Sequence, residues 1–537
     1  MRLVKFKVEN HSRVEDFEID VRGHLVLVGP NDVGKSSILR AMDLLLGASP
    51  AQLYARLSSS DFADTAKPLV LEAQLQQFLE SEKALFPDEI TVDPAGGPAT
   101  LKVRLEAVID ENETLSVTRE APAGGTGRQI SRAQVGGIGW RTISAIASAR
   151  DLKEDRNTSL DDILSSIDLG TEEAEFERLT QELASRLAES TVLGDLRTEL
   201  AAQLSKALPN PLEKADLSFV PGASADKDVL SDVRLQVRRD GSLRNLTEQS
   251  DGTRALFAIA MYDLVSASAN MVGIDEPEMH LHPTSQRSLA RLLQTGTNQK
   301  LIATHSPDIV GAFNPEFIVT IKPGGRVVQP KVNFLSGEER MVVRWWVRDK
   351  LEPLTASRVI FVEGPSDRIL LQRAAEVTGR ELDRMGVSVV ETGGAGDMGA
   401  IVKLFGDNGF RIDRSMLIDE DAVDDVAEKT GIDKSDFCNK SIWVSQPDLE
   451  AEYVAALGAA QVWGAVAASG LFTPNELASC ATSGATGGRT DDDVAAFCRR
   501  KRNYKVRAAM AVADLLSSVT AATITSIENL LGEIVWP

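Results

Sequence analysis

One short run of residues constrains this chain more than any other feature. Gly29-Pro30-Asn31-Asp32-Val33-Gly34-Lys35-Ser36 fits GxxxxGK[ST], follows the apolar run from His24 to Val28, and opens a segment with helical periodicity over 35–46. Glycines in such a loop let backbone N–H groups wrap phosphates at a helix N-terminus. Lys35 can then reach the outer phosphates and the Ser36 hydroxyl can hold Mg²⁺. The plainer alternative is a glycine turn before an ordinary helix.

Three further pieces fit a nucleotide site. Met271-Val272-Gly273-Ile274 is an apolar strand ending in Asp275 and Glu276, a pair suited to a Mg²⁺ shell and to orienting an attacking water. Gln249-Ser250-Asp251-Gly252-Thr253 is a turn at a helix start, where Ser250 and Gly252 would present N–H groups to the γ-phosphate of a neighbouring subunit. Its plainer alternative is an ordinary helix cap. His305 follows the buried run 300–304, where a γ-phosphate sensor would sit; a structural histidine is the alternative.

The order of these pieces resembles the ABC-type ATPases of the SMC, RecF and OLD group. The stretches VENHSRVEDFEID and VGPNDVGKSSILRAMDLLLG carry the likeness, and Asp275-Glu276-Pro277-Glu278-Met279-His280-Leu281-His282-Pro283 is similar to the OLD-type EEPExHLHP, with Asp275 in place of Glu. Ala149-Arg150-Asp151-Leu152 is also similar to a segment of that family, whereas Ser250-Asp251-Gly252-Thr253 keeps only the Ser and one Gly of the LSGGQ turn. The resemblance implies ATP bound by Asn31, Gly34, Lys35, Ser36, Ser37, Asp275, Ser250 and Gly252, with Glu276 and His305 catalytic. It also implies pairing of two or more heads, as a homodimer or tetramer. Residues 160–206 have charged helical periodicity and read either as a solvated helix pair or as an inserted dimerisation arm.

The C-terminal part carries a second constellation. Apolar strands end at Glu363, Glu391, Asp419 and just before Asp448-Leu449-Glu450, each followed by a loop or helix, which predicts a parallel sheet with acids gathered at its C-terminal edge. Glu363, Asp367, Asp419, Asp421 and Glu450 in one place would repel each other, so a pair of divalent metals is the natural neutraliser. Each acid alone would be read as a helix cap or a solvated group. The strings VEGPSDRILL and LIDEDA are similar to the TOPRIM domain of topoisomerases, primases and OLD-type nucleases. That likeness implies the same five acids as ligands of Mg²⁺ or Mn²⁺, Asp448 as a further candidate, and a lysine for transition-state charge. Lys505 is the best match and Lys501 its rival. Both lie in Arg499-Arg500-Lys501-Arg502-Asn503-Tyr504-Lys505-Val506-Arg507, a basic stretch in which Tyr504 can stack on a base.

The chain has 537 residues and a net charge of −21, the wrong sign for coating nucleic acid but compatible with a local basic groove. Three cysteines without CxxC spacing suit reduced thiols in a cytoplasmic protein, and no apolar run reaches the length needed to span a bilayer. The resulting expectation is an α/β chain. It has an ABC-type ATPase domain over 1–345, with a helical insertion over 160–225, and a TOPRIM nuclease domain over 346–537. The resemblance further implies DNA as substrate, regulation by ATP, a helicase partner for some relatives, and service in phage defence or DNA repair. The competing readings are a topoisomerase, which needs a nucleophilic tyrosine among Tyr54, Tyr262, Tyr453 and Tyr504, and a non-catalytic ATP clamp. The residues after 357 are expected to hold little beyond the TOPRIM sheet.

Overall fold

A computed structural model of the chain describes residues 1–92, 96–124, 129–144, 236–239, 242–245, 269–279, 281–349, 351–392, 398–484 and 487–534, with scattered positions between 175 and 198. The expected turn at Ser250–Gly252, the helix over 253–268, the Ala149–Leu152 segment and most of 160–225 lie outside the described residues. The described residues divide into two compact units, 1–138 with 300–537, and 139–299.

In the first unit, Arg2–Glu9 pairs antiparallel with Phe17–Asp20 and with Leu69–Gln76, and Leu69–Gln76 pairs antiparallel with Thr100–Ile109. Leu115–Glu120 closes that sheet. Its strands alternate: Leu69, Leu71, Ala73 and Leu75 are buried while Glu72 and Gln74 are half-buried, as expected of a sheet with one covered face. A second sheet is parallel at its centre. Leu25–Val28 is buried along its whole length and runs beside Gln299–Ala303 and Ile318–Ile321. Continuous apolar strands are what a sheet covered on both faces requires. Ile318–Ile321 then turns back to pair antiparallel with Val327–Val328.

The helix Lys35–Leu46 begins where the sequence predicts. Its end is tied down by Arg119, 4% exposed, whose guanidinium donates to the carbonyls of Leu44, Leu45 and Ala48 (3.3, 3.4 and 2.7 Å). The last carbonyls of a helix lack intrahelical donors, and a buried arginine supplies them here.

Further along, the strands Val387–Glu391, Arg358–Val362, Asp413–Asp419 and Ile442–Ser445 lie in that spatial order and all run parallel. Val359, Ile360, Phe361 and Val362 are at most 1% exposed, each contributing roughly 1.5–3 kcal/mol of burial. The sheet is complete by Ser445, yet helices continue from Leu449 to Glu533. This corrects the expectation that little follows the sheet: Tyr453, Phe472, Phe497 and Tyr504 join Ile360, Val362 and Leu370 in one core, and Pro365–Val377 packs on Arg502–Ala513.

In the second unit, Met271–Asp275 runs parallel to Trp140–Ser144, with Asp275 opposite Ser144. Gln236–Arg239 and Ser242–Asn245 form an antiparallel ladder, and His282 caps the helix Pro283–Thr295. The described positions between Glu175 and Thr198 are helical apart from Ser190, with Glu182 paired to Arg178 and Arg186 one turn away on either side. Among the described residues no helix is long and apolar enough to cross a membrane.

Candidate active site

The phosphate loop owes its shape to two glycines. Gly34 has φ +108°, and a Cβ there would lie 2.6 Å from Val14 Cγ1; on Gly29 it would lie 2.4 Å from the carbonyl oxygen of Ile321. Neither position has room for a side chain, and Gly34 adopts a backbone that only glycine enters freely. Lys35 is buried, with Nζ donating to the carbonyls of Gly29 (3.1 Å) and Pro30 (2.8 Å), so its ammonium lies within the loop. Asn31 and Ser36 are exposed and Ser37 is half-buried. In the second unit, Asp275 ends its strand and Glu276 follows at φ +44°, a conformation rare for a residue with a side chain. His305 lines a cavity of about 630 Å³ together with Val28, Arg368 and Ser388.

The acids are assembled by the parallel sheet. Glu363 follows Arg358–Val362, and Asp419 ends the neighbouring strand, whose N–H at Asp419 donates to Glu363 Oε1 (2.8 Å). Gly364-Pro365-Ser366-Asp367 starts a helix with proline in its first turn. Asp367 is buried there, accepting from the Gly364 N–H (2.9 Å) and the Ser366 hydroxyl (3.1 Å). Asp419 accepts from the Leu449 N–H (3.0 Å) and from Lys505 Nζ (2.9 Å). Glu450, buried in the first turn of the next helix, places Oε2 3.2 Å from the same Nζ but without hydrogen-bond alignment, leaving that buried oxygen without an aligned donor. Asp448 caps that helix through the Ala451 N–H (2.8 Å) and pairs with Arg499.

Three of the five predicted ligands converge. Oxygens of Glu363, Asp419 and Asp421 lie within 4.8 Å of one another. Asp367 lines the same cavity of about 470 Å³ while serving as a helix cap, and Glu450 is held at the Lys505 side. Electrostatics register the crowding. Burial pushes Glu363 up to about 7, and the charges of Asp419, Asp367 and Asp421 add to it against the Asp419 N–H. Burial likewise pushes Glu450 up to about 7, against the opposing charge of Lys505. Asp367 is raised by burial and then by Asp419. Burial works against the charge on Lys505, but Glu450 and Asp419 outweigh it and hold the ammonium above its ordinary range. An all-oxygen donor set with excess negative charge suits a hard divalent cation, so the residues present fit Mg²⁺ or Mn²⁺.

Lys501 has its Nζ 5.5 Å from the centre of the Tyr504 ring, and Lys505 rather than Lys501 lines the acidic cavity. Tyr504 is 4% exposed and packs on Phe472 and Phe497, which removes it as a base-stacking platform. Asp425 and Arg502 line the acidic cavity although the sequence set omits them. Their spacing, four residues after Asp421 and three before Lys505, is the signal that places them near it.

Residues 25–311 match the family model described as "AAA domain, putative AbiEii toxin, Type IV TA system", and residues 354–421 match "Overcoming lysogenization defect protein-like, TOPRIM domain". The chain belongs to the AAA-domain family that the first of these models describes, and its matched C-terminal stretch is OLD-like. It joins an AAA/ABC-like ATPase domain to an OLD-like TOPRIM domain, an α/β architecture with a parallel TOPRIM sheet. The chain is 22% identical over 424 residues to endonuclease GajA of Bacillus cereus (strain VD045), covering 73% of this chain and 71% of that one. It is 24% identical over 439 residues to the OLD nuclease of Thermus scotoductus (strain ATCC 700910 / SA-01), covering 74% and 79%. Among solved structures it is similar to the C-terminal region of the Burkholderia pseudomallei OLD protein, at 24% identity and a TM-score of 0.27, covering 33% of this chain and 96% of that one.

Proposed function

We propose that this chain is an ATP-regulated, divalent-metal-dependent DNA endonuclease. Its ATPase domain spans 1–345, with the helical insertion over 160–225, and its nuclease domain spans 346–537. The observation that carries the reading is the convergence of Glu363, Asp419 and Asp421 at the C-terminal edge of a parallel sheet, with Lys505 anchored on Asp419. Two relatives named as nucleases support it.

Glu363, Asp419 and Asp421 would hold Mg²⁺ or Mn²⁺, with Asp367 and Glu450 completing the acidic surround. When bound, the cation would supply Lewis-acid charge at a phosphodiester and lower the pKa of a water. Lys505 stays protonated and stands where negative charge develops on the scissile phosphate, while Asp419 and Glu450 fix its position. ATP is taken by Asn31, Gly34, Lys35, Ser36 and Ser37, with Asp275, Glu276 and His305 on the reacting side. Heads pair as a homodimer or tetramer through the ATPase domain, the Ser250–Gly252 turn of one reaching the nucleotide of another. ATP then regulates cutting by shifting conformations. A cytoplasmic place rests on the three cysteines without CxxC spacing, and a helicase partner and a role in phage defence or DNA repair rest on the family likeness.

The topoisomerase reading is disfavoured: Tyr453 is fully buried and Tyr504 nearly so, which hides two of the four candidate nucleophiles. The deciding experiment is plasmid cleavage in Mg²⁺ or Mn²⁺ by wild type and Asp419→Ala, with and without ATP. Loss of cleavage in the variant is expected, and equal cleavage by both proteins overturns the assignment.

A further inference from the structure

The basic stretch 499–507 reads as one cationic patch, but the structure divides it by partner. Arg499 pairs with Asp448, Arg500 donates to Ser479 (2.7 and 2.9 Å), and Arg507 reaches Glu476 (3.3 Å). Lys505 is held between Asp419 and Glu450, and Lys501 lies against the Tyr504 ring. Arg502 differs from all five. It is exposed, its side chain makes no ion pair or hydrogen bond among the described residues, and it lines the acidic cavity beside Lys505. A guanidinium facing Glu363, Asp421 and Asp425 without binding any of them is a cation kept for an incoming anion.

Geometry narrows the anion. Arg502 is in the first turn of the helix that carries Lys505, three residues earlier, or roughly 5 Å along the axis and on the same face. Asp419 and Glu450 hold Lys505 beside the acidic cluster, so a phosphodiester cut there takes its charge partner from Lys505. The next charge along the same strand falls to Arg502. Arginine presents a planar fork of donors that matches phosphate oxygens, whereas lysine offers a point charge.

We infer that Arg502 clamps the backbone phosphate adjacent to the scissile one, a binding contact that sets the register of the DNA strand on the acidic cluster. This rests on the proposed nuclease reading and adds a residue to it. The contact is to phosphate, so it carries no base preference.

The test compares wild type, Arg502→Ala and Arg502→Lys. Binding to short duplexes of unrelated sequence is measured with Ca²⁺ at several salt concentrations, and cleavage kinetics are measured with Mg²⁺ or Mn²⁺. Arg502→Ala should weaken binding about three- to tenfold for every sequence alike and reduce the slope of log affinity against log salt by roughly 0.9, one phosphate contact. Its loss in kcat/KM should appear in KM, and Arg502→Lys should recover the salt slope because it keeps the charge. Arg502 is exposed, so an unchanged melting temperature for each variant will separate contact loss from misfolding. Unchanged affinity and salt slope in Arg502→Ala overturn the inference while a cutting wild type leaves the nuclease reading intact. A fall confined to kcat also overturns it, because that would place Arg502 on the reacting phosphate. A wild type that neither binds nor cuts DNA overturns both.

Discussion

Lys35 and Ser36 reach their places through a single short loop, whereas Glu363, Asp419, Glu450 and Lys505 meet from four separate stretches of chain. In the loop, the backbone of Gly34 and the helix start are local, and Val14 and Ile321 only set how little room its glycines have. At the acids, positioning depends on strand order and register: Asp419 meets Glu363 because their strands are parallel neighbours. The loop should therefore tolerate distant change and fail on local change. The acidic cluster should respond to any disturbance of the sheet or of the helices that deliver Glu450 and Lys505.

The largest effect that sharpens this contrast is Asp419→Ala. It removes the acceptor of both Lys505 and the Leu449 N–H, and plasmid nicking should fall by roughly 10²–10³-fold, as for loss of one preorganised transition-state contact. Nucleotide affinity should be unchanged in the same protein. Lys35→Ala is the reciprocal case. Titration with labelled ATP should show a loss of about 2–3 kcal/mol, the worth of a charge-assisted contact, while the Lys505–Asp419 pair stays in place. Equal damage to both functions by either variant would break the contrast.

Arg119→Ala tests what holds the loop's helix from behind. Two helix-end carbonyls and that of Ala48 just beyond lose their donor in a buried setting, so chemical denaturation should show a loss of about 2–4 kcal/mol. The smallest effect concerns acid. The His24 ring stands edge-on to Phe313 and Phe317 (centroids 5.5 and 5.7 Å), and its Nδ1 accepts the Lys300 N–H. Burial lowers its pKa to about 4, helped by the charges of Arg2 and Lys300. The unfolded chain therefore takes up the proton first. The contribution of His24 is complete above about 6.5 and is lost as pH falls towards 4. His24→Gln should flatten the melting profile over that window, and an unchanged acid slope would show that other groups set it.

Residues that act through local geometry were legible in the sequence. The glycine loop, its helix over Lys35–Leu46 and the apolar strands ending at Glu363 and Asp419 could be read because each is a contiguous pattern. Which acids converge was less legible. Asp367 looks equivalent to Asp421 in a string of letters, but a proline-led helix start turns it into a cap for Gly364. Tyr504 reads as available in a basic run, yet Phe472 and Phe497 arrive from other helices to enclose it. The helical layer after Ser445 is similarly muted, since Ala459–Ala468 and Arg502–Ala513 use alanines on much of their surface and show weak contrast between faces. The Ser250–Gly252 turn and most of 160–225 lie outside the described residues.

The ammonium that steadies Asp419 and Glu450 belongs to one of the last helices of the chain. A ribosome therefore releases the phosphate loop and every acid of the cluster before it releases Lys505. Until then the acids lack the counter-charge that Lys505 supplies, so the cluster gains its neutralising partner only after all of its carboxylates have been made.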